Sequence, residues 1–535
     1  MDKTRSPSGV TGHMVVHHDG GSFWDLFKFA VFGNMESAMK FINISAEGTT
    51  IMATAARESR WYISVAICKI LKLFDRPLEL FGHALEFCLN FYHQNGGFFG
   101  IPLNALLLRL KIPRRGTENF ISFIGFTDPR VDLQRSQLVS HQADEMVIKD
   151  AAPHLLKEGH NLSVQSLVDL TPLMDLCIMA AKLAYENTAV VHKVVTKSWK
   201  ESFVADYQGM NYYTCKRDTH AFIFCDKKED ANLIVISFRG TGPFTMRNWC
   251  SDFDFSLVQF GDAGSIHVGF LEAMGLGHRH HPPSFGFSLQ ARPVLIGSDE
   301  FDFNRDGVYS RALGRLRDLI KEHTKAKIVV TGHSLGGALA IVFACLLVIQ
   351  NEIEVLDRLL NVYTYGQPRV GDFDLALYMQ SRLNFPSRRY FRVVYCNDIV
   401  PRVPFDDVFF TFEHFGICVY YDSFYFGYFT KEERTRNFFG LGNAINMHIT
   451  AWWELMRSFI TGLYLVHGAE YKETWVSIAG RVAGLILPGI SAHSPVNYIN
   501  SVRLGRQLKH PLMSLQQIAA GQYMDDDRSN VKTCH

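Results

Sequence analysis

The sequence has almost no net charge, because its 54 Lys and Arg residues offset 53 Asp and Glu residues to give a formal net charge of +1. Proteins that bind nucleic acid normally carry a clear basic excess, so this composition argues against a nucleic-acid partner. The ten cysteines lie singly, and no Cys-x-x-Cys spacing occurs. The usual signature of a metal site or a disulfide framework is therefore missing, and a reducing, cytosolic environment fits this cysteine usage.

The amino-terminal segment lacks the apolar core of a secretory signal, since it begins Met-Asp-Lys-Thr-Arg and stays mostly polar as far as Gly21. We predict that residues 1–21 are disordered and that the protein stays on the cytosolic side of membranes. The carboxy-terminal tail, residues 513–535, is also polar, and we expect it to be dispensable for chemistry.

A long uninterrupted apolar run is missing too, although the 42 Phe residues exceed what a soluble enzyme usually needs. Within the aromatic region 22–115, the longest uncharged stretch is 87–108, and Asn-Gly-Gly and Gly-Ile-Pro triplets break it. Such breaks argue against a transmembrane helix. We interpret 22–115 as a monotopic membrane or lipid-droplet anchor, in which two short helical arms meet at a Gly/Pro turn. A buried helical hairpin and a single span are the alternatives.

Strand and helix patterns alternate from residue 162 to residue 512, after a polar connector at 116–161. Buried β-strands are predicted at 233–238, 362–365 and 390–395, and an amphipathic helix is predicted at 309–324. Alternation of this kind predicts an α/β domain built on a mostly parallel sheet.

Within this domain, a β-branched run at 328–331 leads into Gly-His-Ser-Leu-Gly at 332–336, and small helix-forming residues follow. The order of strand, Gly-x-Ser-x-Gly and helix is typical of the nucleophile elbow of an α/β-hydrolase. Glycine is expected at positions 332 and 336 because the strand and helix backbones of such an elbow approach each other too closely to leave room for a Cβ atom. Ser334 is therefore the predicted nucleophile, with an ordinary Gly/Ser turn as the alternative.

In this fold the catalytic acid follows the serine along the chain and lies on a loop after a later strand. Asp398 lies just beyond the predicted strand at 390–395. There it would hold the tautomer of a catalytic histidine and stabilise the imidazolium. A structural loop carboxylate is the alternative role. The competing carboxylates, which do not directly follow the strand, are Asp372, Asp374, Asp406 and Asp407.

The general base should lie after Asp398, and His493 lies on a predicted loop between the last apolar segment and a final helix. We favour His493, with His414 as an alternative that follows the acid too closely to return easily. The remaining histidines lie in a helix-like segment or at the end of the domain and chain: His448, His467, His510 and His535.

An oxyanion hole needs preorganised N–H donors, and the residue after the nucleophile, Leu335, supplies one in this fold. The second donor should come from a loop at the end of an early strand, and Arg-Gly-Thr-Gly at 239–242 fits that position. Thr241 could offer its backbone N–H and its hydroxyl. An ordinary Gly-rich turn at the strand end is the alternative.

Several segments together resemble the class 3 lipase (fungal-lipase-like) family. They are Phe-Arg-Gly-Thr at 238–241, Asn-Trp-Cys-Ser-Asp-Phe at 248–253, His-Val-Gly-Phe at 267–270, the elbow, and Asn-Asp-Ile-Val-Pro at 397–401. The resemblance covers roughly 230–500. It implies Ser334, Asp398 and His493 as the triad, and Thr241 and Leu335 as the oxyanion donors. It further implies a lid at about 243–249 and a bracing role for Asp252 beside the oxyanion loop.

The aromatic amino-terminal region and the overall length are also similar to plant oil-body triacylglycerol lipases of this family. This resemblance implies an α/β-hydrolase with a mostly parallel sheet, a lid and an amino-terminal apolar helical anchor. The expected activity is release of fatty acids from triacylglycerols, and from diacyl- and monoacylglycerols. The expected location is the cytosolic face of a lipid droplet (oil body), with the endoplasmic reticulum membrane as an alternative. The expected partners are the acylglycerol and a droplet monolayer or membrane surface, and no metal or other cofactor is implied.

One departure from the fungal pattern is an aromatic insertion at 409–475, which separates Asp398 from His493. It makes a fungal-like pocket geometry less certain and is a candidate second membrane-docking surface. Two other functions remain open from the sequence. One is a phospholipase A1 or galactolipase acting on bilayer lipids, and the other is a lipid-droplet scaffold with a decayed hydrolase domain.

Overall fold

The computed structural model describes most of the 535-residue chain: residues 10–45, 61–133, 164–289, 294–296, 299–301, 307–384, 387–405, 412–430, 438, 440–464 and 471–505. The strands are β1 (Val10–Val16), β2 (Ile42–Ile44), β3 (Ser202–Asn211), β4 (Lys216–Cys225), β5 (Leu233–Phe238), β6 (Leu257–Phe260), β7 (Ser265–His267), β8 (Val294–Ile296), β9 (Asp299–Phe301), β10 (Lys327–His333), β11 (Leu359–Tyr365), β12 (Tyr390–Tyr395), β13 (Ile417–Tyr421) and β14 (Gly427–Thr430).

The α-helices are α1 (Phe23–Phe32), α2 (Met35–Ala38), α3 (Trp61–Gln94), α4 (Gly97–Leu106), α5 (Phe123–Thr127), α6 (Val164–Leu183), α7 (Thr188–Lys193), α8 (Met246–Asp252), α9 (Val268–Ala273), α10 (Ser284–Leu289), α11 (Val308–Glu322), α12 (Leu335–Ile349), α13 (Ile353–Leu356), α14 (Phe373–Leu383), α15 (Leu441–Tyr464), α16 (Trp475–Gly484), α17 (Pro488–Ala492) and α18 (Pro495–Leu504).

An eight-stranded sheet, in the order β14-β13-β12-β11-β10-β5-β4-β3, forms the centre of the molecule. The five strands β5 and β10 to β13 run parallel, whereas β3, β4 and β14 are antiparallel to their neighbours. The predicted mostly parallel sheet is therefore confirmed. Strands β5, β11 and β12 contain the strands that the sequence predicted, and α11 contains the predicted helix except for its last two residues, 323 and 324.

Helices cover both faces of this sheet, because neighbouring residues of a strand point to opposite sides. In β10, Ile328 and Val330 join a core cluster with helices α11 and α12, while Val329 joins a second cluster with α6 and α18. All three side chains are fully buried. The α/β-hydrolase elbow thus lies at the carboxyl end of a central strand between two packed helical layers.

The prediction that residues 1–21 are disordered is wrong from Val10 onward. β1 pairs with β2 and with β6 in a second sheet, in the order β2-β1-β6-β7. Met14, Val15 and Val16 are fully buried there. Three consecutive apolar residues among glycines and histidines are a weak sequence signal, and this strand is stabilised by distant partners rather than by local pattern.

The described part of the region 22–115 consists mainly of helices, which pack against the α/β domain. The 34-residue helix α3 packs against α8, so the first arm of the predicted hairpin is long rather than short. The chain turns at Gly96 and Gly97, both with positive φ, while Gly100 and Pro102 lie inside α4. Phe99 is 86% exposed on α4, which contradicts a buried hairpin. Among the described residues, no helix is long and apolar enough to cross a membrane.

The predicted insertion 409–475 is partly built into the central sheet. β13 pairs in parallel with β12, and β14 closes that edge of the sheet. Helix α15 follows and packs against α16 and α17. The predicted connector 116–161 also contributes structure where it is described, because α5 packs against α3, α6 and α16.

Candidate active site

Ser334 stands at a sharp turn between β10 and α12. Its φ of 60° and ψ of −135° are strained for a residue with a side chain. Cβ atoms added to Gly332 and Gly336 would overlap the backbone of the elbow helix and of the loop after β5, respectively. The two glycines therefore permit the close approach that the sequence analysis expected, and the turn presents the Ser334 side chain clear of the sheet.

Asp398 and His493 are in direct contact at this end of the sheet. The His493 Nδ1 atom lies 2.7 Å from the Asp398 Oδ2 atom, and both side chains are buried. Asp398 follows β12, and His493 ends the short helix α17. The carboxylate accepts the Nδ1–H, so it fixes the tautomer that leaves Nε2 as the acceptor.

Tyr498 and Gly366 complete the surroundings of this carboxylate. The Tyr498 hydroxyl donates to Asp398 Oδ2, and the Val400 N–H donates to Oδ1 at 2.8 Å. Burial and the neighbouring carboxylate raise the pKa of Tyr498 well above its usual value, so the hydroxyl keeps its proton and remains a donor. A Cβ on Gly366 would lie 2.7 Å from both Asp398 Oδ2 and the Tyr498 hydroxyl, and 2.9 Å from His493 Cε1.

His333, the residue before Ser334, packs against His493 and forms a hydrogen bond with it. Its ring stacks on the His493 ring at a centroid distance of 4.6 Å, and its Nε2 donates to the His493 carbonyl at 2.9 Å. Its Nδ1 then accepts from the Tyr185 hydroxyl at 2.9 Å. Burial, with a smaller contribution from His493, lowers the pKa of His333 well below its usual value. His333 is therefore a neutral structural neighbour rather than a proton carrier.

The two expected oxyanion donors lie beside the elbow. Gly336 approaches the carbonyl of Phe238, which brings the loop containing Thr241 against the start of α12, where Leu335 is the first helical residue. Thr241 is buried, and its hydroxyl has no hydrogen-bond partner within the described part of the chain. That hydroxyl is therefore available to an incoming group.

Asp252 does not brace the oxyanion loop by a hydrogen bond, contrary to what its expected role would require. It ends α8 and is fully buried, yet neither carboxyl oxygen has a hydrogen-bond partner among the residues that the structure describes. Burial raises the pKa of the Asp252 carboxyl well above its usual range. The backbone of Gly240 is instead packed against Tyr185 and the His333 carbonyl, so a Cβ there would overlap both.

A cavity of about 300 Å³ opens at Ser334 and His493. Neither Ser334 Oγ nor His493 Nε2 has a hydrogen-bond partner among the described residues. Most of the wall is apolar, with side chains that include Phe123, Ile124, Pro243, Trp249, Ala483, Leu487, Ile490 and Val496. One charged residue, Arg481, also lines the cavity, and it is paired with Glu454 and Glu473. The cavity thus brings Ser334 and His493, the predicted nucleophile and base, together with a mostly apolar wall.

The expected lid segment, 243–249, lies at the entrance to this cavity and is held by the amino-terminal helices. The Phe244 ring packs 5.0 Å from the Phe123 ring and 5.9 Å from the Phe81 ring, measured between centroids. The Arg247 N–H donates to Asp75 of α3 at 2.9 Å. Trp249 points its ring edge-on toward His493, with a centroid distance of 6.0 Å.

The competing acids and histidines lie elsewhere or outside the described residues. His414 Nε2 donates to the Pro401 carbonyl at 2.8 Å, and His448 lies on α15. Asp372 caps α14, and Asp374 lies in the first turn of that helix. The positions outside the described residues are Asp406, Asp407, His467, His510 and His535.

The sequence analysis did not identify Gly366, Tyr498 or the support given by His333 and Tyr185. The position of Tyr498 in the sequence could have identified it. It lies in the first turn of a helix that starts just after the predicted catalytic histidine, so its side chain can lie near that histidine. Gly366 ends a predicted strand, but nothing in the sequence shows that its missing side chain leaves room for Asp398 and His493. Helices α5 and α16 were also missed as cavity walls.

Comparison with known proteins gives a consistent family. A model of the family described as Lipase (class 3) matches residues 235–408. The protein named triacylglycerol lipase OBL1 from Ricinus communis is 62% identical over 521 residues, which cover 96% of this chain and 98% of that protein. The protein of the same name from Arabidopsis thaliana is 41% identical, with 95% and 98% of the two chains covered.

A solved fungal structure, a Rhizomucor miehei lipase propeptide complex, is 25% identical and covers 49% of this chain and 70% of its own, with a TM-score of 0.34. The family rests on the full-length relatives, whose similarity covers almost the whole chain. With relatives of this identity along almost its whole length, the chain belongs to the class 3 lipase family.

Proposed function

We propose that this class 3 lipase hydrolyses triacylglycerols at lipid-droplet surfaces, with Ser334 as nucleophile, His493 as general base and acid, and Asp398 as the residue that orients His493. The observation that carries the proposal is the buried Asp398–His493 hydrogen bond beside the strained Ser334, at the base of an apolar cavity. The relatives named triacylglycerol lipase match this chain along almost its whole length, which supports the substrate.

In the proposed reaction, the Ser334 Oγ attacks the ester carbonyl as its proton passes to His493 Nε2. Asp398 stabilises the imidazolium through Nδ1–H. The negative charge that forms on the carbonyl oxygen is held by N–H donors at Leu335 and Thr241, with the Thr241 hydroxyl as a further donor. His493 then returns the proton to the leaving glyceride alkoxide, and a water molecule releases the fatty acid from the acyl-enzyme by the same steps.

A neutral lipid fits this cavity better than a charged headgroup. Arg481 is a cation in the cavity wall, but its guanidinium bonds Glu454 at 3.1 Å and Asn497 at 2.8 Å and also pairs with Glu473. Its charge is therefore already balanced. A phosphate headgroup would need an unpaired cation or a set of directed donors. This favours acylglycerols over phospholipids.

The lid and the membrane contact belong to the same proposal. We place the lid at about 243–249, since Pro243 and Trp249 line the cavity and Phe244 is wedged against α3 and α5. The exposed phenylalanines and leucines of α4, such as Phe98 and Leu106, fit a one-leaflet lipid contact at the droplet surface or the endoplasmic reticulum membrane.

Substitution of Ser334 by Ala tests the proposal. Loss of the nucleophile should lower kcat by on the order of 10⁴ to 10⁶, while the thermal unfolding midpoint and binding to triolein droplets stay near those of the wild type. Fatty-acid release from triolein, phosphatidylcholine and galactolipid should be measured side by side, together with labelling by a fluorophosphonate probe. Near-wild-type turnover in Ser334→Ala would contradict the proposed triad. Faster fatty-acid release by the wild type from phosphatidylcholine or galactolipid than from triolein would contradict the proposed substrate.

A further inference from the structure

Helix α15 has its charged residues inside and its apolar residues outside, the reverse of a normal surface helix. Ile449, Trp452 and Met456 are 63%, 55% and 50% exposed, whereas Glu454 and Arg457 are only 3% and 6% exposed. A surface helix in water normally buries its apolar stripe and solvates its charges. The inverted pattern indicates that the outer face of α15 meets something other than water.

The buried charges fix this orientation. Glu454 accepts from the Tyr395 hydroxyl at 2.7 Å and from Arg481 at 3.1 Å. Arg457 donates to the Tyr425 hydroxyl at 2.9 Å, and its guanidinium lies 4.4 Å from the centre of that ring. Turning the apolar stripe inward would break this network and leave buried partners unpaired, which is costly. The apolar residues are therefore held outward by the fold.

The outer stripe runs along one side of α15 at helical spacing, with side chains at positions 441, 445, 449, 452, 456 and 460. It continues onto Phe424, whose ring lies 5.4 Å from the Trp453 ring. From 441 to 460 no exposed residue is charged, and the exposed polar side chains are those of Asn446 and His448. The same holds from Trp475 to Ile490, where every exposed residue is apolar or glycine.

This surface reaches the mouth of the catalytic cavity. α15 packs against α16 and α17, and α17 ends directly at His493. Leu487 and Ile490 are half-exposed and also line the cavity, so they belong both to the outer surface and to the substrate site. Arg481 likewise lines the cavity while it holds Glu454 of α15. We define the docking face as the outer residues of α15 together with those of 475–490.

We propose that the docking face lies on the surface of an acylglycerol droplet and opens the cavity directly into the lipid. The proposal rests on the function proposed above. A protein partner is the weaker fit, because protein interfaces carry about one hydrogen bond per 100–200 Å² and this face offers few polar groups. Tryptophans in a charge-free apolar surface are typical of residues that lie at a lipid–water boundary.

The first test is contact with acyl chains. Full-length protein is mixed with triolein droplets that are coated with phosphatidylcholine carrying brominated acyl chains, which quench tryptophan fluorescence on contact. The variant W452F/W453F keeps the shape of the face but should lose a clear share of the quenching. Quenching that is the same in the variant and in the wild type would overturn the proposal, whether or not triolein is hydrolysed.

The second test separates docking from chemistry. Ile449→Asp with Met456→Asp should lower triolein-droplet hydrolysis by at least about tenfold, because a carboxylate on this face opposes entry into lipid. Hydrolysis of the water-soluble ester p-nitrophenyl butyrate should stay within about twofold of the wild type. The matched control is Ile353→Asp with Leu377→Asp, two similarly exposed residues on α13 and α14.

Equal losses in the two double variants would overturn the docking face. The proposal would also be overturned if the wild type forms a stable dimer and the double variant Ile449→Asp with Met456→Asp does not. The docking face would then bind a second copy of this chain rather than a lipid surface. If the brominated lipid quenches Trp452 and Trp453 but triolein is not hydrolysed, the docking face stands and the proposed substrate is wrong.

Discussion

Gly366 lies directly behind the Asp398–His493 pair and has a positive φ of 57°. A methyl group there would lie 2.7 Å from Asp398 Oδ2 and 2.9 Å from His493 Cε1, closer than van der Waals contact allows. The arrangement of Asp398 and His493 therefore depends on the absence of a side chain at Gly366.

Gly366→Ala should consequently lower kcat by at least about 100-fold, because an error of about 1 Å in a catalytic group has that effect. Hydrolysis of p-nitrophenyl butyrate measures it without the lipid surface. The matched control is Gly314→Ala in α11, where an added Cβ has open space around it. A Gly366→Ala enzyme that retains more than about half of the wild-type kcat would contradict this account of the site.

Site residues that belong to a local sequence motif could be predicted from the sequence. Site residues that are brought together only by tertiary packing could not. The strand, the elbow glycines and Ser334 form one continuous sequence motif at 328–336. The order of residues along the chain then favoured Asp398 among the candidate acids and His493 among the candidate bases. Gly366 and Tyr498 are brought to Asp398 only when β11 and α18 take their places. The bracing role of Asp252 came from resemblance and stays a prediction, since neither carboxyl oxygen has a hydrogen-bond partner among the described residues.

At the scale of the element, α3 packs against the segment that we propose as the lid, 243–249, which is called the lid segment below. Gly82 of α3 faces Phe244, and a Cβ on Gly82 would lie 2.5 Å from the Phe244 ring. Cys68 of α3 also contacts α8, since its Sγ lies 3.5 Å from the Cys250 carbonyl. The amino-terminal helices therefore hold the lid segment as well as presenting apolar residues to the outside.

Gly82→Leu should displace Phe244 and destabilise the protein by about 1–3 kcal/mol, the usual range for overpacking. Amide hydrogen exchange should become faster in 243–252, and denaturant unfolding should give the free-energy change. Gly314→Leu serves as the control, because a Cβ atom added there has no neighbour within 4 Å. Unchanged exchange in 243–252 would show that α3 does not hold the lid segment.

The sequence identified α3 and α4 as apolar helices with a turn between them, but it could not show what they pack against. It predicted a polar connector at 116–161 but not the short helix α5 within it, whose contacts with α3, α6 and α16 join distant parts of the chain. In α15 the aromatic composition was visible in the sequence. The inward placement of Glu454 and Arg457 depends on partners that lie 27 to 62 residues away, at positions such as Tyr395 and Arg481.

At the scale of the whole molecule, the amino-terminal region and the hydrolase domain share a core. One cluster joins Met14, Val16 and Phe41 to Phe255 and Leu257 across the small sheet. Val16 also donates its N–H to the Ser256 hydroxyl at 2.8 Å. The domain boundary near residue 115 that the sequence suggested therefore does not separate two independent folding units.

Removal of residues 1–45 should destabilise the enzyme by at least about 5 kcal/mol, because burial of Met14, Val15 and Val16 alone contributes about 1.5–3 kcal/mol each. That loss is comparable to the whole stability of a typical domain. Thermal unfolding and soluble yield should both fall sharply. Removal of 513–535, which the sequence predicts to be dispensable, is the control. A 46–535 chain with wild-type thermal stability would show that β1 is not part of the core.

The register between Val10 of β1 and Phe260 of β6 also constrains how this protein is made. A ribosome adds about 5–20 residues per second, so about 250 residues of further synthesis leave the β6-facing edge of β1 unpaired for roughly 10–50 s. During that interval the nascent chain carries an unpaired strand edge followed by the exposed phenylalanines and leucines of α3 and α4. The small sheet can therefore be completed only after β6 has emerged, although β1 is translated about 250 residues earlier.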